Sequence, residues 1–240
     1  MHLLDVDIHR AGYSLHKHTL QEIKFSIKAG EIVGLIGPNG AGKSTTTQAI
    51  LGVLPSVVGN IQLHSGSEQI GYIPEQPLYY EGLTLWEHLE LAATAYDIQE
   101  NILNSRANHL LKEFRMEHAI HAYPSTFSKG MKQKLMIILA FFIKPKLFVV
   151  DEPFIGLDPG ATKRLILKLE EEKKNGSGIL LSTHVLDTAE KICDRFILVF
   201  QGRILSSGTL EEIQDYAGLK NGSLLDCFYE IIEGHEYAGV

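Results

Sequence analysis

Cysteine is scarce in this chain, with only Cys193 and Cys227 among 240 residues. The two form no metal-ligand spacing and no disulfide framework, which argues against a small secreted scaffold and suits a reducing compartment. Long apolar runs are also missing. The nearest, Leu135 to Ile143, is far too short to span a bilayer. The opening Met1-His2-Leu3-Leu4-Asp5 lacks a basic region followed by an apolar core, so no secretion signal is expected. Positive charge is in deficit, with 22 Lys and Arg against 29 Asp and Glu, a net charge of −7. A nucleic-acid-binding surface is therefore not expected, although local basic patches fit within that total. There is no internal repeat, no low-complexity run and no long coiled coil. What remains is ordinary: 45% hydrophobic and 21% charged residues, enough to bury a sizeable core.

The chain is organised around Gly37-Pro38-Asn39-Gly40-Ala41-Gly42-Lys43-Ser44-Thr45. It fits Gly-x-x-x-x-Gly-Lys-[Ser/Thr], the phosphate-binding P-loop. Glu31 to Ile36 leads in as a buried strand, and Lys43 to Leu54 leads out as a helix. Unpaired N–H groups and the partial positive charge at a helix start attract anions. The glycines allow the backbone to wrap a phosphate at dihedrals that a side chain would forbid. The N–H groups of Gly40, Gly42, Lys43, Ser44 and Thr45 are expected to face a nucleotide, with Gly37 and Asn39 completing the loop. The Lys43 ammonium would reach the β- and γ-phosphates, and the Ser44 hydroxyl would hold Mg²⁺.

Leu3 to His9, Phe25 to Ile27, Ile61 to His64 and Ile70 to Ile73 read as short strands, and Ala11 to Ser14 and Ser65 to Ser67 as turns. From Thr84 to about Arg115 the period turns helical, and a further helix runs from after Ser128 to Ile143. Leu147 to Val150 is a continuous apolar run, as in a parallel strand buried on both faces. Thr162 to Lys174 and His184 to Cys193 read as helices, with the strand Ile179 to Leu181 between them. Phe196 to Phe200 and Arg203 to Leu205 pair as a hairpin across Gln201-Gly202. Thr209 opens a short helix, and Leu224 to Ile232 is the last amphipathic one. The predicted fold class is α/β: a P-loop NTPase core with a mostly parallel sheet, an antiparallel β flank and an inserted helical subdomain. The predicted organisation is one domain over residues 1–240, a helical subdomain over 77–145 and a helical tail over 216–240.

Phe148-Val149-Val150-Asp151-Glu152 is an apolar strand ending in two acids. A parallel strand presents its functional residues at its carboxyl end, where the P-loop also lies. In isolation this would be an acidic strand end. Behind a P-loop, Asp151 is expected beside the Mg²⁺ and Glu152 is placed to polarise an attacking water. Ser128 is a natural N-cap, Gly130 permits close approach, and the helix dipole can receive an anion; a plain capped helix accounts for those local features equally well.

The order of these motifs, followed by Gly156-Leu157-Asp158-Pro159 and Ser182-Thr183-His184, resembles the ATP-binding subunit of ABC transporters over about Leu3 to Gly208. The helix start Gly130-Met131-Lys132-Gln133 and the tail Leu224 to Phe228 are similar to bacterial export-type subunits of the Ecs type. The resemblance implies an ATPase with ATP and Mg²⁺ as ligands. Tyr13 matches the aromatic that stacks on adenine. Ser128 and Gly130 match the signature sequence that binds the γ-phosphate held by another subunit's P-loop, and Asp158 matches the loop crossing that interface. His184 matches the switch histidine at the γ-phosphate. The implied catalytic set is therefore Lys43, Glu152 and His184. The implied partners are a second ATPase subunit, identical or not, and an integral membrane permease, which places the chain in the cytoplasm at the inner face of the cell membrane.

Two departures accompany the resemblance. The signature usually reads Leu-Ser-Gly-Gly-Gln and is here Phe127-Ser128-Lys129-Gly130-Met131, which puts a cation near the partner's phosphates. The glutamine expected after Gly71-Tyr72-Ile73-Pro74 is Glu75, with Gln76 one later; either can reach Mg²⁺ and the attacking water. Pro77 to Tyr80 with Leu83 and Trp86 form an apolar cluster suited to docking a permease, although Trp86 reads better as subdomain core. A soluble ABC-type regulatory module is the alternative. A P-loop GTPase or kinase lacks support, since the chain has no Asn-Lys-x-Asp guanine signature.

Overall fold

The computed structural model describes residues 1–14, 19–64 and 70–238. Its centre is a six-stranded sheet in the order β5 (Ile70–Ile73), β6 (Leu147–Asp151), β7 (Gly178–Thr183), β3 (Ile32–Ile36), β8 (Arg195–Phe200), β9 (Arg203–Gly208). All neighbours run parallel except β8 and β9, which form the antiparallel hairpin. Every residue of β3, β6 and β7 is buried, which is why these strands read as unbroken apolar runs. A second sheet, β2 (Leu20–Lys28), β1 (His2–Gly12), β4 (Ser56–Leu63), is antiparallel throughout and supplies the expected flank.

Apolar clusters cover the two faces of the central sheet. On one, Leu4, Ile8 and Ile23 of the flank meet Leu35, Val149 and Leu180, with Ala49 and Ile50 from α1 (Lys43–Ile50). On the other, Val150, Ile179 and Leu181 meet α2 (Leu85–Ala95), α3 (Glu100–Phe114) and α4 (Lys129–Phe142) through Leu89, Leu111, Phe114 and Ile138. Leu165 and Leu169 of α5 (Pro159–Lys174) close the same cluster. A third cluster joins Phe196 and Leu198 to α6 (Leu186–Ile192), α7 (Leu210–Ala217) and α8 (Leu224–Ala238) through Ala189, Ile213, Phe228 and Ile231.

Several boundaries differ from the sequence expectation, each for a local reason. Ala11 and Gly12 are strand rather than turn, because Ala11 pairs with both Leu20 and Val57 and Gly12 with Ser56. β4 starts at Ser56 and passes Gly59, whose φ of 144° accompanies a register shift against β1. The helical stretch after Thr84 is two helices, broken where Asp97 takes a φ of 52°. α1 stops at Ile50, just before Gly52 at φ 71°. α5 begins earlier than expected, at Pro159, because the Asp158 side chain accepts from Ala161 N–H at 2.8 Å. α6 begins later, at Leu186, since β7 carries the chain through Thr183. α8 continues beyond Ile232 to Ala238. The turn expected at Ser65 to Ser67 lies outside the described residues.

Candidate functional site

A cleft of about 480 Å³ opens at the carboxyl ends of the parallel strands. Tyr13, Asn39, Gly40, Gly42, Lys43, Ser44, Thr45, Glu75, Glu152 and His184 line it, together with Thr19 and Ile155. The phosphate loop, Glu75, Glu152 and His184 follow the carboxyl ends of β3, β5, β6 and β7, brought side by side by the strand order of the central sheet rather than by the chain order, while Tyr13 and Thr19 come from the ends of β1 and β2 in the flanking sheet.

The loop after β3 owes its shape to its glycines. Gly40 and Gly42 have φ of 81° and 112°, in the left-handed region that other residues avoid. A Cβ on Gly37 would stand 2.2 Å from the Val199 carbonyl oxygen, so no larger residue fits against β8. Gly42 caps α1, and the first helical bond runs from Thr46 N–H to Gly42 O at 2.9 Å. The N–H groups of Gly42, Lys43, Ser44 and Thr45 therefore precede the helical ladder and are free to meet an anion. Behind the loop, Gly202 N–H at the β8–β9 turn donates to Ala41 O at 2.8 Å, and Gln21 N–H of β2 donates to Gly202 O at 2.8 Å.

Lys43 folds its ammonium back over its own loop, donating to Gly37 O at 2.8 Å and Pro38 O at 3.2 Å. Burial pushes its pKa down, opposed by the charges of Glu152 and Asp151. Glu152 is buried and clasped on both carboxylate oxygens. His184 Nδ1 lies 2.7 Å from Oε1, and Thr183 Oγ1 donates to Oε2 at 3.1 Å. Its backbone φ of 43° is left-handed, a conformation that costs a non-glycine residue on the order of 1 kcal/mol. A bond from its N–H to Ser182 O at 2.9 Å holds it there.

Asp151 lies next to this carboxylate, buried at the end of β6. Burial raises its carboxyl above the ordinary range, and the Ser182 and Ser44 hydroxyls oppose that shift. These hydroxyls act on it from beyond hydrogen-bonding geometry: Asp151 Oδ1 and Ser182 Oγ are both buried, and no hydrogen bond of ordinary length reaches either. A buried carboxylate oxygen left unpaired beside a P-loop serine is the donor set a small hard cation takes, so the residues fit Mg²⁺.

The remaining expected residues lie elsewhere. Ser128 is exposed and caps α4, accepting from Met131 N–H at 3.3 Å. A Cβ on Gly130 would stand 2.7 Å from Gly156 O, so its glycine is required by packing against the segment that follows Glu152. Asp158 caps α5 and pairs with Lys134 at 3.3 Å. None of Ser128, Gly130 and Asp158 lines the cleft, and of the pair Glu75 and Gln76 only Glu75 does. Tyr13 is 57% exposed beside the phosphate loop. Thr19 and Ile155 were not expected from the sequence. Thr19 enters through its N–H bond to Ala11 O at 2.8 Å, a long-strand feature hidden by reading Ala11 as turn.

The ABC transporter family model matches residues 20–155, more than half of the chain. The chain belongs to the ABC transporter ATP-binding family. It is 52% identical to the ABC transporter ATP-binding protein YthP of Bacillus subtilis (strain 168), covering 97% of this chain and 98% of that one. It is 44% identical to the ABC-type transporter ATP-binding protein EcsA of the same organism, covering 98% and 100%. A solved ATP-binding subunit of an ABC transporter superposes with a TM-score of 0.91 at 44% identity, over 96% of this chain and 99% of that one. Another, cbiO1 from Clostridium perfringens, part of the ABC transporter complex cbiONQ, gives 0.72 at 26% identity over 92% and 96%. This ABC subunit binds ATP and hydrolyses it, and it is the ATPase component of a transporter. No helix among the described residues is long and apolar enough to cross a membrane.

Proposed function

We propose that this subunit works as one half of a pair, each half holding ATP in its own cleft and closing it with the Ser128–Gly130 segment of the other. The observation that carries this reading is the exposure of Ser128 at the start of α4, outside the cleft that gathers Lys43, Glu152 and His184. A helix start that faces solvent, with one of its leading N–H groups met by the Ser128 cap, still presents its dipole to a phosphate brought by another chain. Its neighbour Lys129 adds a cation there.

Tyr13 offers its ring to the base, and the N–H groups of Gly40, Gly42, Lys43, Ser44 and Thr45 cradle the phosphates. Lys43 leaves the Gly37 and Pro38 carbonyls for the β- and γ-phosphates. Ser44 and Asp151, with Glu75 or Gln76 nearby, would hold Mg²⁺, which supplies charge neutralisation on the phosphates. Glu152 takes a proton from the attacking water, and His184 stabilises the charge that develops on the γ-phosphate. Residues 77–145 move with closure, and exposed Leu78 and Tyr80 meet an integral membrane permease. That partner would hold the subunit at the cytoplasmic face of the membrane.

Ser128→Arg tests the pairing. With Glu152→Gln in the same chain to preserve bound ATP, the parent is expected to dimerise in gel filtration when ATP is added, and the Ser128→Arg variant to stay monomeric. Dimer formation by the Ser128→Arg variant would remove the signature helix from the interface.

A further inference from the structure

We infer that Thr183 is a positioning residue for hydrolysis, setting the orientation of the Glu152 carboxylate toward water. The inference rests on the reading of Glu152 as the proton acceptor. Thr183 is fully buried at the last position of β7, and β7 lies directly against β6, which delivers Glu152. Its hydroxyl has two partners. It accepts from Val185 N–H at 3.1 Å and lies 3.1 Å from Glu152 Oε2. With a lone pair engaged by the amide, the hydroxyl proton is directed at the carboxylate. The adjacent residue, His184, meets the other oxygen at 2.7 Å. One dipeptide thus fixes both oxygens.

The position of Glu152 makes this clasp matter. It sits at φ 43° immediately after β6, buried, so the orientation of its carboxylate depends on the few side chains that reach it. Lys43 also draws on Oε1, from 3.7 Å. When Lys43 turns to phosphate, that tether is lost, and His184 is 44% exposed and free to follow the γ-phosphate. Thr183 is buried and paired with Ile36 of β3, so the sheet holds its hydroxyl in place. It is the one clasp that persists through turnover among the contacts described for this carboxylate. A held oxygen Oε2 leaves Oε1 to receive the proton.

The test compares Thr183→Val, Thr183→Ser and Glu152→Gln in the full-length chain, reading steady-state phosphate release and the affinity for a non-hydrolysable ATP analogue with Mg²⁺. Valine keeps the branched shape in the strand and removes the donor. It is expected to lower kcat about tenfold, the scale of one hydrogen bond to a charged group, with KM and analogue affinity unchanged. Serine is expected to restore kcat to within about twofold, since it carries the same hydroxyl. A Thr183→Val variant as active as the parent, beside an inactive Glu152→Gln, overturns the inference and leaves the role of Glu152 standing. Loss of analogue affinity in Thr183→Val without rescue by serine reduces Thr183 to a structural residue and also overturns it. Full activity of Glu152→Gln overturns the reading of Glu152 and this inference with it.

Discussion

The ammonium of Lys43 stands 3.7 Å from the carboxylate of Glu152, and both side chains are nearly closed to solvent. The two groups expected to act on opposite sides of a γ-phosphate are thus already neighbours. Each offsets part of the other's cost of burial, and an entering phosphate separates them.

Replacing Glu152 by Gln removes the proton acceptor and keeps the shape. Phosphate release is expected to fall at least about 100-fold, the lower range for general-base catalysis, with ATP binding retained at neutral pH. A second effect follows from Lys43. Burial lowers its pKa and the Glu152 charge opposes that, so without the charge the ammonium is lost at a lower pH. The alkaline fall in ATP affinity, followed by calorimetry, is expected to shift to lower pH in Glu152→Gln.

Lys43→Ala removes the one ammonium in the phosphate loop. ATP affinity is expected to weaken about 10- to 100-fold, as for loss of a charge-assisted contact. Titration calorimetry with ATP and Mg²⁺ checks it, and an unchanged dissociation constant would contradict the assignment of the loop.

Asp158→Ala tests a cap and its pH dependence together. The backbone N–H of Ala161, and then Lys134, hold the Asp158 carboxyl below its usual value of 3.8. A lowered folded-state pKa means stability present above the unfolded value and lost as pH falls through the folded one. At neutral pH the alanine variant is expected to be about 1 kcal/mol less stable, as for other lost N-caps. The difference is expected to shrink below about pH 4, where the unfolded carboxyl titrates. Urea unfolding of both proteins at a series of pH values measures it.

Gly130→Ala places a methyl 2.7 Å from Gly156 O. Backbone must give way, at a cost of about 1–3 kcal/mol. A thermal melt is expected to show a drop of about 2 °C or more. Gly156→Ala makes a useful contrast. There the new methyl meets only the flexible stem of Lys129, at 3.1 Å, so the left-handed φ of 82° carries the strain instead.

The sequence made the motif residues legible because their spacing is local. Gly37 to Thr45 is one continuous loop, and Leu147 to Asp151 announces a buried strand by composition alone. The α/β class and the antiparallel flank were readable for the same reason. Contacts across the fold were not. Thr183 and Glu152 lie 31 residues apart and meet only because β6 and β7 are neighbours. Ala11 looked like turn beside Gly12, and its strand pairing with Leu20 and Val57 depends on partners no local pattern names. Gly130 could be read as a point of close approach, but nothing local identified Gly156 as what it approaches. Glu75 and Gln76 differ by one position in sequence, and only the path of the chain after Pro74 turns the acid into the cleft.

The hydrogen-bonded relay from Gln21 through Gly202 to Ala41 has a consequence for what the cleft accepts. It ties the flanking sheet, whose first strand runs out toward Tyr13, to the loop that surrounds the phosphates. The two ends of the cleft are thus joined through two backbone hydrogen bonds. A Cβ on Gly202 would fall 1.8 Å from Thr19 O, so this joint admits no thicker link. The distance from ring to phosphate loop is therefore set by backbone on the β8–β9 side of the cleft as well as by the loop itself, and a substitution at that turn acts on both ends of the cleft at once.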